Sequence, residues 1–431
     1  DKKRYRLVTL PNGLDVLLVQ SDSGSISSST IDPTHNDNVR ASCCSTDSTE
    51  SDSAEEQEDG NDRETNNRAP SLAAACLTVD VGSLNDPEGL PGLAHYLEHV
   101  VFMGSEKYPE EDAFEAFLSA HGGSSNGATE CESTRFVFDV DANYLETALD
   151  MFASLFVAPL LRREAMEREL KAVESEFQRV RNNNVVRLQQ IMCETSVHGH
   201  PYSRCFTWGN ATSLKQIPER DGVDVRDQML EFFNKYYVAP GMKLCVYGCE
   251  SLDTLEQYVT QSFSDIPRSR KSYDVSPLNK LSVPYGGGAG QQPTLFRVIP
   301  VGERRSLQLY WILPSMMEKY RQKPWYYVGH LLGHEGPESI VSALKRKKWA
   351  TDVIAGTSDR DAYEFGSFGT VFEIRVSLTE EGLACWELVT QLIFDALHHF
   401  STEAATGDLP VWLFEELRSS SEMDFRFQED G

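Results

Sequence analysis

Nowhere in the 431 residues is there an apolar run of the roughly 20 positions that a bilayer-crossing helix needs. No apolar stretch follows the basic start DKKRYRLVTL either, so that start is not a secretory signal. The chain opens without Met, which leaves room for a trimmed targeting segment, and the expected location is cytoplasmic, or exported without a signal peptide. Positive charge is scarce: 40 Lys and Arg stand against 66 Asp and Glu, a net charge of −26. That excludes the basic face of a nucleic-acid binder and disfavours anionic membrane surfaces, while it suits cationic peptides or polyamines. Cysteine is sparse and irregular. Nine in number and unevenly spaced, the cysteines do not form a disulfide framework. Cys43 with Cys44, and Cys245 with Cys249, lack a second matching pair for a metal knuckle, and a reducing compartment is expected.

What is present falls into two units. YRLVTLPNGLDVLLVQ reads as a hairpin turning at Pro11-Asn12-Gly13. From 21 to 70 the chain is Ser, Thr, Asn, Asp and Glu with twelve acids and three arginines, a segment with too little to bury to offset its ordering entropy. Without it the body still carries 54 acids and 37 bases. SLAAACLTVDVGS reads as a buried strand pairing with the hairpin, which makes 21–70 a disordered acidic insertion within a domain. Helices are expected near 92–103, 111–121, 143–156, 163–190 and 252–263, with strands at 134–140 and in MKLCVYG. Residues 267–292 read as a linker. A second unit, 293–431, repeats the theme with strands TLFRVIPV, SLQLYWIL and SFGTVFEIRVSL, and helices near Trp325, Ser339 and Glu380. The fold class is therefore α+β: two related units of mostly antiparallel sheet with helices packed on it, 1–266 and 293–431, the second incomplete.

HYLEHVVFMG, His95 to Gly104, carries the chemistry. On a helix, Leu93, Leu97, Val100 and Val101 share one face, and His95, Glu98 and His99 the other. Pro91 suits the first turn and Gly104 the stop. Histidines at i and i+4 converge on one ion, and a cation offsets the cost of a carboxylate beside them. The pattern is the inverted zinc-protease motif H-x-x-E-H. Two core histidines and a surface glutamate would satisfy the same positions, so a third ligand decides. EREL KAVESEF supplies candidates: Glu169 and Glu176, two turns apart, border the stripe Met166, Leu170, Val173, Phe177 and Val180.

GLPGLAHYLEHVVFMGSEKYPEEDAFEAFLSAHGGSSNGATECESTRFVFDV resembles the pitrilysin and insulinase family of zinc peptidases, in particular the branch with an acidic insertion at this point. RELKAVESEF, GHPYSRCFTWGN and GHLLGHEGPESIVSALKRKKWA continue the resemblance. It implies a Zn2+ cofactor held by His95, His99 and Glu176, with Glu98 activating water and Glu169 as supporting acid. It places Asn126, Gly127 and Ala128 on an edge strand that holds extended peptide, and Ile354 and Gly356 on one that anchors the substrate's N-terminus. It implies a metalloendopeptidase cutting basic peptides, on the N-terminal side of Arg in dibasic sites. Family members close two halves around a chamber, and the second half contributes an arginine and a tyrosine. The C-terminal half of the same enzyme is thus an expected partner, and weak activity is expected without it. Polyamines or proteins are expected at 21–70. The rival readings are an insulin-degrading type of broader specificity, and a non-catalytic peptide-binding or interaction subunit.

Other residues read as structural. His330, His334 and Glu335 are not read as a second metal site, His198 and His200 sit in a loop, and LKRKKW is a solvated helix end.

Overall fold

The computed structural model describes residues 3–21, 72–268, 284–285, 294–358, 362–407 and 409–427. The acidic segment and most of the expected linker, with their expected disorder and partners, lie outside the described residues. The chain divides into two compact units, Asp1–Arg181 with Cys205–Val275, and Asn182–Arg204 with Ser276–Gly431. Residues 182–204, read from sequence as part of the first unit, group with the second. Among the described residues no helix is long and apolar enough to cross a membrane.

The first unit is built on a six-stranded sheet. Its hairpin, β1 (Arg4–Thr9) and β2 (Asp15–Gln20), pairs Thr9 with Asp15. The turn needs Gly13 at φ 91°, and Asn12 donates to the Phe263 and Ile266 carbonyls, tying the turn to the last helix of the unit. Four more strands follow: β3 (Leu72–Val79), β4 (Ser124–Thr129), β5 (Thr134–Asp141) and β6 (Met242–Gly248). Their order is β1-β2-β6-β3-β5-β4. The expected pairing of β3 with the hairpin is corrected here: β6, from far along the chain, inserts between them, parallel to β2 and antiparallel to β3. Both β3 and β6 alternate buried and half-buried residues, so each presents a full apolar face to one core. That core also takes in α1 (Leu93–Val101), α2 (Ala113–Ala120), α3 (Leu145–Val157) and α4 (Arg163–Val180).

The single helix expected over 163–190 is two. Three successive asparagines, Asn182 to Asn184, are poor helix formers, and Asn183 Oδ1 accepts from the Val185 amide to cap a new helix, Asn184–Thr195.

The second unit has a sheet of order β7-β10-β8: β7 (Ser306–Leu313), β8 (Ala350–Gly356) and β10 (Gly369–Leu378), with the short β9 (Phe365–Gly366) paired to β10. It repeats the first unit's order of strand, two helices, edge strand, inner strand, helix. TLFRVIPV forms no strand among the described residues. Side chains of the helix Asn184–Thr195, in the same unit, meet part of its backbone instead: Arg187 donates to the Ile299 carbonyl, and Asn184 exchanges hydrogen bonds with Val301.

Candidate metal centre

α1 begins one residue after Gly92, which sits at φ 95°, so Pro91 lies in the turn before the helix rather than in its first turn. A Cβ on Gly92 would meet Gly209 Cα at 2.2 Å. That close approach brings the Cys205–Gly209 segment against the start of the helix. Asp86 anchors the same end, accepting from the Gly92 amide at 2.7 Å and the Ala94 amide at 2.8 Å. Burial pushes the Asp86 carboxyl up to about 8, against the pull of those two amides and of His95. All nine residues of α1 are buried, so the ionisable trio does not face solvent. The Tyr96 hydroxyl donates to the Met166 carbonyl, fixing α1 against α4.

α4 then sets the third donor. Met166, Leu170 and Val173 turn into the core, and Glu176, one turn further on, follows them in at 3% exposure. His95 Nε2 and His99 Nε2 are 3.3 Å apart. Glu176 Oε2 lies 3.3 Å from His95 Nε2 and 3.5 Å from His99 Nε2. Donors about 2.0–2.1 Å from a tetrahedral ion stand about 3.3 Å apart, so these three atoms fit the corners of one metal site. Among the described residues they are the one group of three or more His, Cys, Asp or Glu with that closeness.

The outer contacts aim the donors. His95 Nδ1 is 2.9 Å from the Trp208 carbonyl; a carbonyl only accepts, so Nδ1 carries the proton and Nε2 presents its lone pair. His99 Nδ1 likewise faces Glu169 Oε2 at 3.3 Å. Arg179 stands 3.7 Å from the second oxygen of Glu176.

Glu98 points toward β4, the edge strand. Its Oε2 accepts from the Thr129 hydroxyl at 2.8 Å. A Cβ on Gly127 would lie 2.2 Å from Glu98 Oε1, so only glycine leaves room for the carboxylate. Alternation turns Gly127 and Thr129 to the Glu98 side and Asn126 and Ala128 to the other. Glu98, His99, Asn126, Gly127 and Glu169 line one cleft of about 620 Å³, together with Glu111, Asp112 and Glu115 and the apolar Phe102, Met103 and Phe114.

Of the residues singled out in the sequence, His95, Glu98, His99, Asn126, Gly127, Ala128, Glu169 and Glu176 come together in the first unit. Ile354 and Gly356 lie in the second, on its edge strand β8, with Ile354 exposed and Gly329 packed against the Ala355 carbonyl. His330 and His334 stand 3.9 and 3.6 Å from Glu416, while Glu335 pairs with Lys345. His200 is buried and accepts from the Tyr202 amide. Sequence reasoning missed Asp86, Thr129 and Trp208. Only Asp86 left a trace, an acid just ahead of a helix start; the other two act through contacts distant in sequence.

The model for Insulinase (Peptidase family M16) matches residues 64–205, and that for the Peptidase M16 inactive domain matches 224–420. Nardilysin of Rattus norvegicus is 40% identical over 357 residues, covering 83% of this chain and 30% of the relative. A nardilysin-like protein of Arabidopsis thaliana is 41% identical over 358 residues, and the insulin-degrading enzyme of Drosophila melanogaster 38% over 358; each match covers 83% of this chain and 34% of the relative. The chain thus spans about a third of the length of the curated relatives it matches. The crystal structure of pitrilysin superposes with a TM-score of 0.74 at 26% identity, over all of this chain and 39% of that one. With both family models matched in succession along the chain and the His-His-Glu cluster assembled, this chain is a nardilysin-like member of the insulinase family, peptidase family M16.

Proposed function

We propose that this chain is the metal-binding part of a zinc metalloendopeptidase. The observation that carries the reading is the triangle of His95, His99 and Glu176 with both imidazole lone pairs turned inward, and Glu98 beside it on the same helix. Zn2+, when bound, supplies a Lewis acid that polarises a peptide carbonyl and acidifies water. Glu98 takes the proton of the attacking water at Oε1, since Oε2 is held by Thr129. Glu169 holds the His99 tautomer.

An extended peptide adds to the free edge of β4 by backbone pairing at Asn126, Gly127 and Ala128. Ile354 and Gly356 offer a second edge for the substrate's N-terminus. Within the cleft, Glu111 is occupied by Arg168, and Ser125 donates to one oxygen of Glu115. Asp112 and Glu115 remain to receive a basic side chain, which supports cleavage at the N-terminal side of Arg in dibasic sites. A second reading, broader specificity of the insulin-degrading type, is favoured by Phe102, Met103 and Phe114 in the same cleft. Full turnover requires the C-terminal half of the same enzyme, and this chain alone cleaves weakly.

The test compares this chain and the full-length enzyme on dibasic and apolar peptides, mapping the cut bonds. Glu98→Gln should keep the metal and lose cleavage by ~10²–10⁴-fold. Undiminished cleavage by that variant, or no metal bound, defeats the proposal; cuts at apolar sites alone favour the second reading.

A further inference from the structure

β3 and β6 are the two central strands of the first unit's sheet, and Cys76 of β3 stands directly opposite Cys245 of β6. Further along the same ladder the Asp80 amide donates to the Gly241 carbonyl at 2.8 Å. Hydrogen-bonded pairs recur every second residue, so stepping back by twos places Cys76 and Cys245 at a hydrogen-bonded pair, with Cα atoms about 5.5 Å apart. The commonest Cα separation across a disulfide is about 5.5–6 Å. Opposed residues project to the same side of a sheet. Here it is the side away from the core: Ala75, Leu77, Leu244 and Val246 fill the buried face, and both cysteines are half-buried free thiols. Their lateral neighbours in the row are Leu17 and Val137, which offer neither thiol a polar partner. Burial raises the Cys245 thiol, and Cys76 raises it further, as two sulfurs in electrostatic reach of each other should.

We propose that Cys76 and Cys245 are an oxidisable pair that closes into a cross-strand disulfide when met by a low-molecular-weight disulfide. One Sγ–Sγ bond forms, the oxidant's S–S bond breaks, and the two thiol protons and two electrons leave on the two thiols the oxidant becomes. At a directly opposed pair the Cβ atoms are about 4.5–5.5 Å apart, against about 3.8 Å in a disulfide. Closure therefore pulls the strands together, and the resulting strain makes the bond easy to reduce again. The metal ligands belong to helices packed on the other face, so the clamp forms without touching them.

The test treats the metal-loaded chain with glutathione disulfide and maps its peptides by mass spectrometry without reduction. A Cys76–Cys245 linked peptide is expected, with two thiols lost per chain, recovered with dithiothreitol, and metal content unchanged. Cys76→Ser and Cys245→Ser should each abolish the linked peptide and leave the remaining cysteine capped by glutathione. Alkylation of both cysteines after oxidation, or linkage of Cys245 to Cys249, overturns the proposal. Should either variant fail to fold, the map of the unsubstituted chain decides alone.

Discussion

His99 Nδ1 and Glu169 Oε2 lie 3.3 Å apart, joining α1 to the carboxylate two turns before Glu176 on α4. This contact leaves Nε2 of His99 to face His95 Nε2 and Glu176 Oε2. Glu169→Gln keeps the shape and loses the charge. Metal affinity, measured by competition with a chelating dye, is expected to fall about 10–100-fold. An unchanged affinity would remove Glu169 from its supporting role.

Glu176→Ala takes away a corner of the triangle and leaves His95 and His99 in place. The loss of affinity should exceed the range given for Glu169, and the purified variant should carry well under one metal per chain. Full stoichiometry in that variant would mean that another group completes the site.

Gly127→Ala puts a methyl where Glu98 Oε1 now sits. The carboxylate must move by about 1 Å, and misplacement of that size costs about 10²-fold in rate. Thr129→Val removes the hydrogen bond to the other oxygen, worth about 1.5–3 kcal/mol for a charged acceptor, while Thr129→Ser restores it. Peptide cleavage should drop in the Ala and Val variants with metal content steady. Normal cleavage by Gly127→Ala would show that Glu98 is not held where its base role needs it.

Asp86 supplies a pH signature. Its carboxyl is raised to about 8 by burial, well above the usual unfolded value near 4. A raised acid contributes stability that is complete below the unfolded value and lost as pH rises through the folded one. Denaturant stability should therefore decline from about pH 4 to about pH 8 through this group, and Asp86→Asn should flatten that decline. An identical slope in the variant would mean that other groups set it.

The sequence by itself located α1, its paired histidines and its glutamate, because a 3.6-residue period and a local spacing of four are written in neighbouring residues. It placed the hairpin turn at Gly13 and the alternation of β5 for the same reason. It narrowed the third ligand to Glu169 or Glu176 on one helix face, and resemblance chose Glu176. It failed wherever a partner comes from far along the chain. β6 entering between β2 and β3, Trp208 meeting His95 across the Gly92–Gly209 contact, and Thr129 reaching Glu98 from an edge strand are all long-range pairings. No local period announces them. Local geometry determined which side chains could bind a metal; only tertiary packing, which buries Glu176 and steers each Nδ1 proton outward, decided that three of them converge on one point.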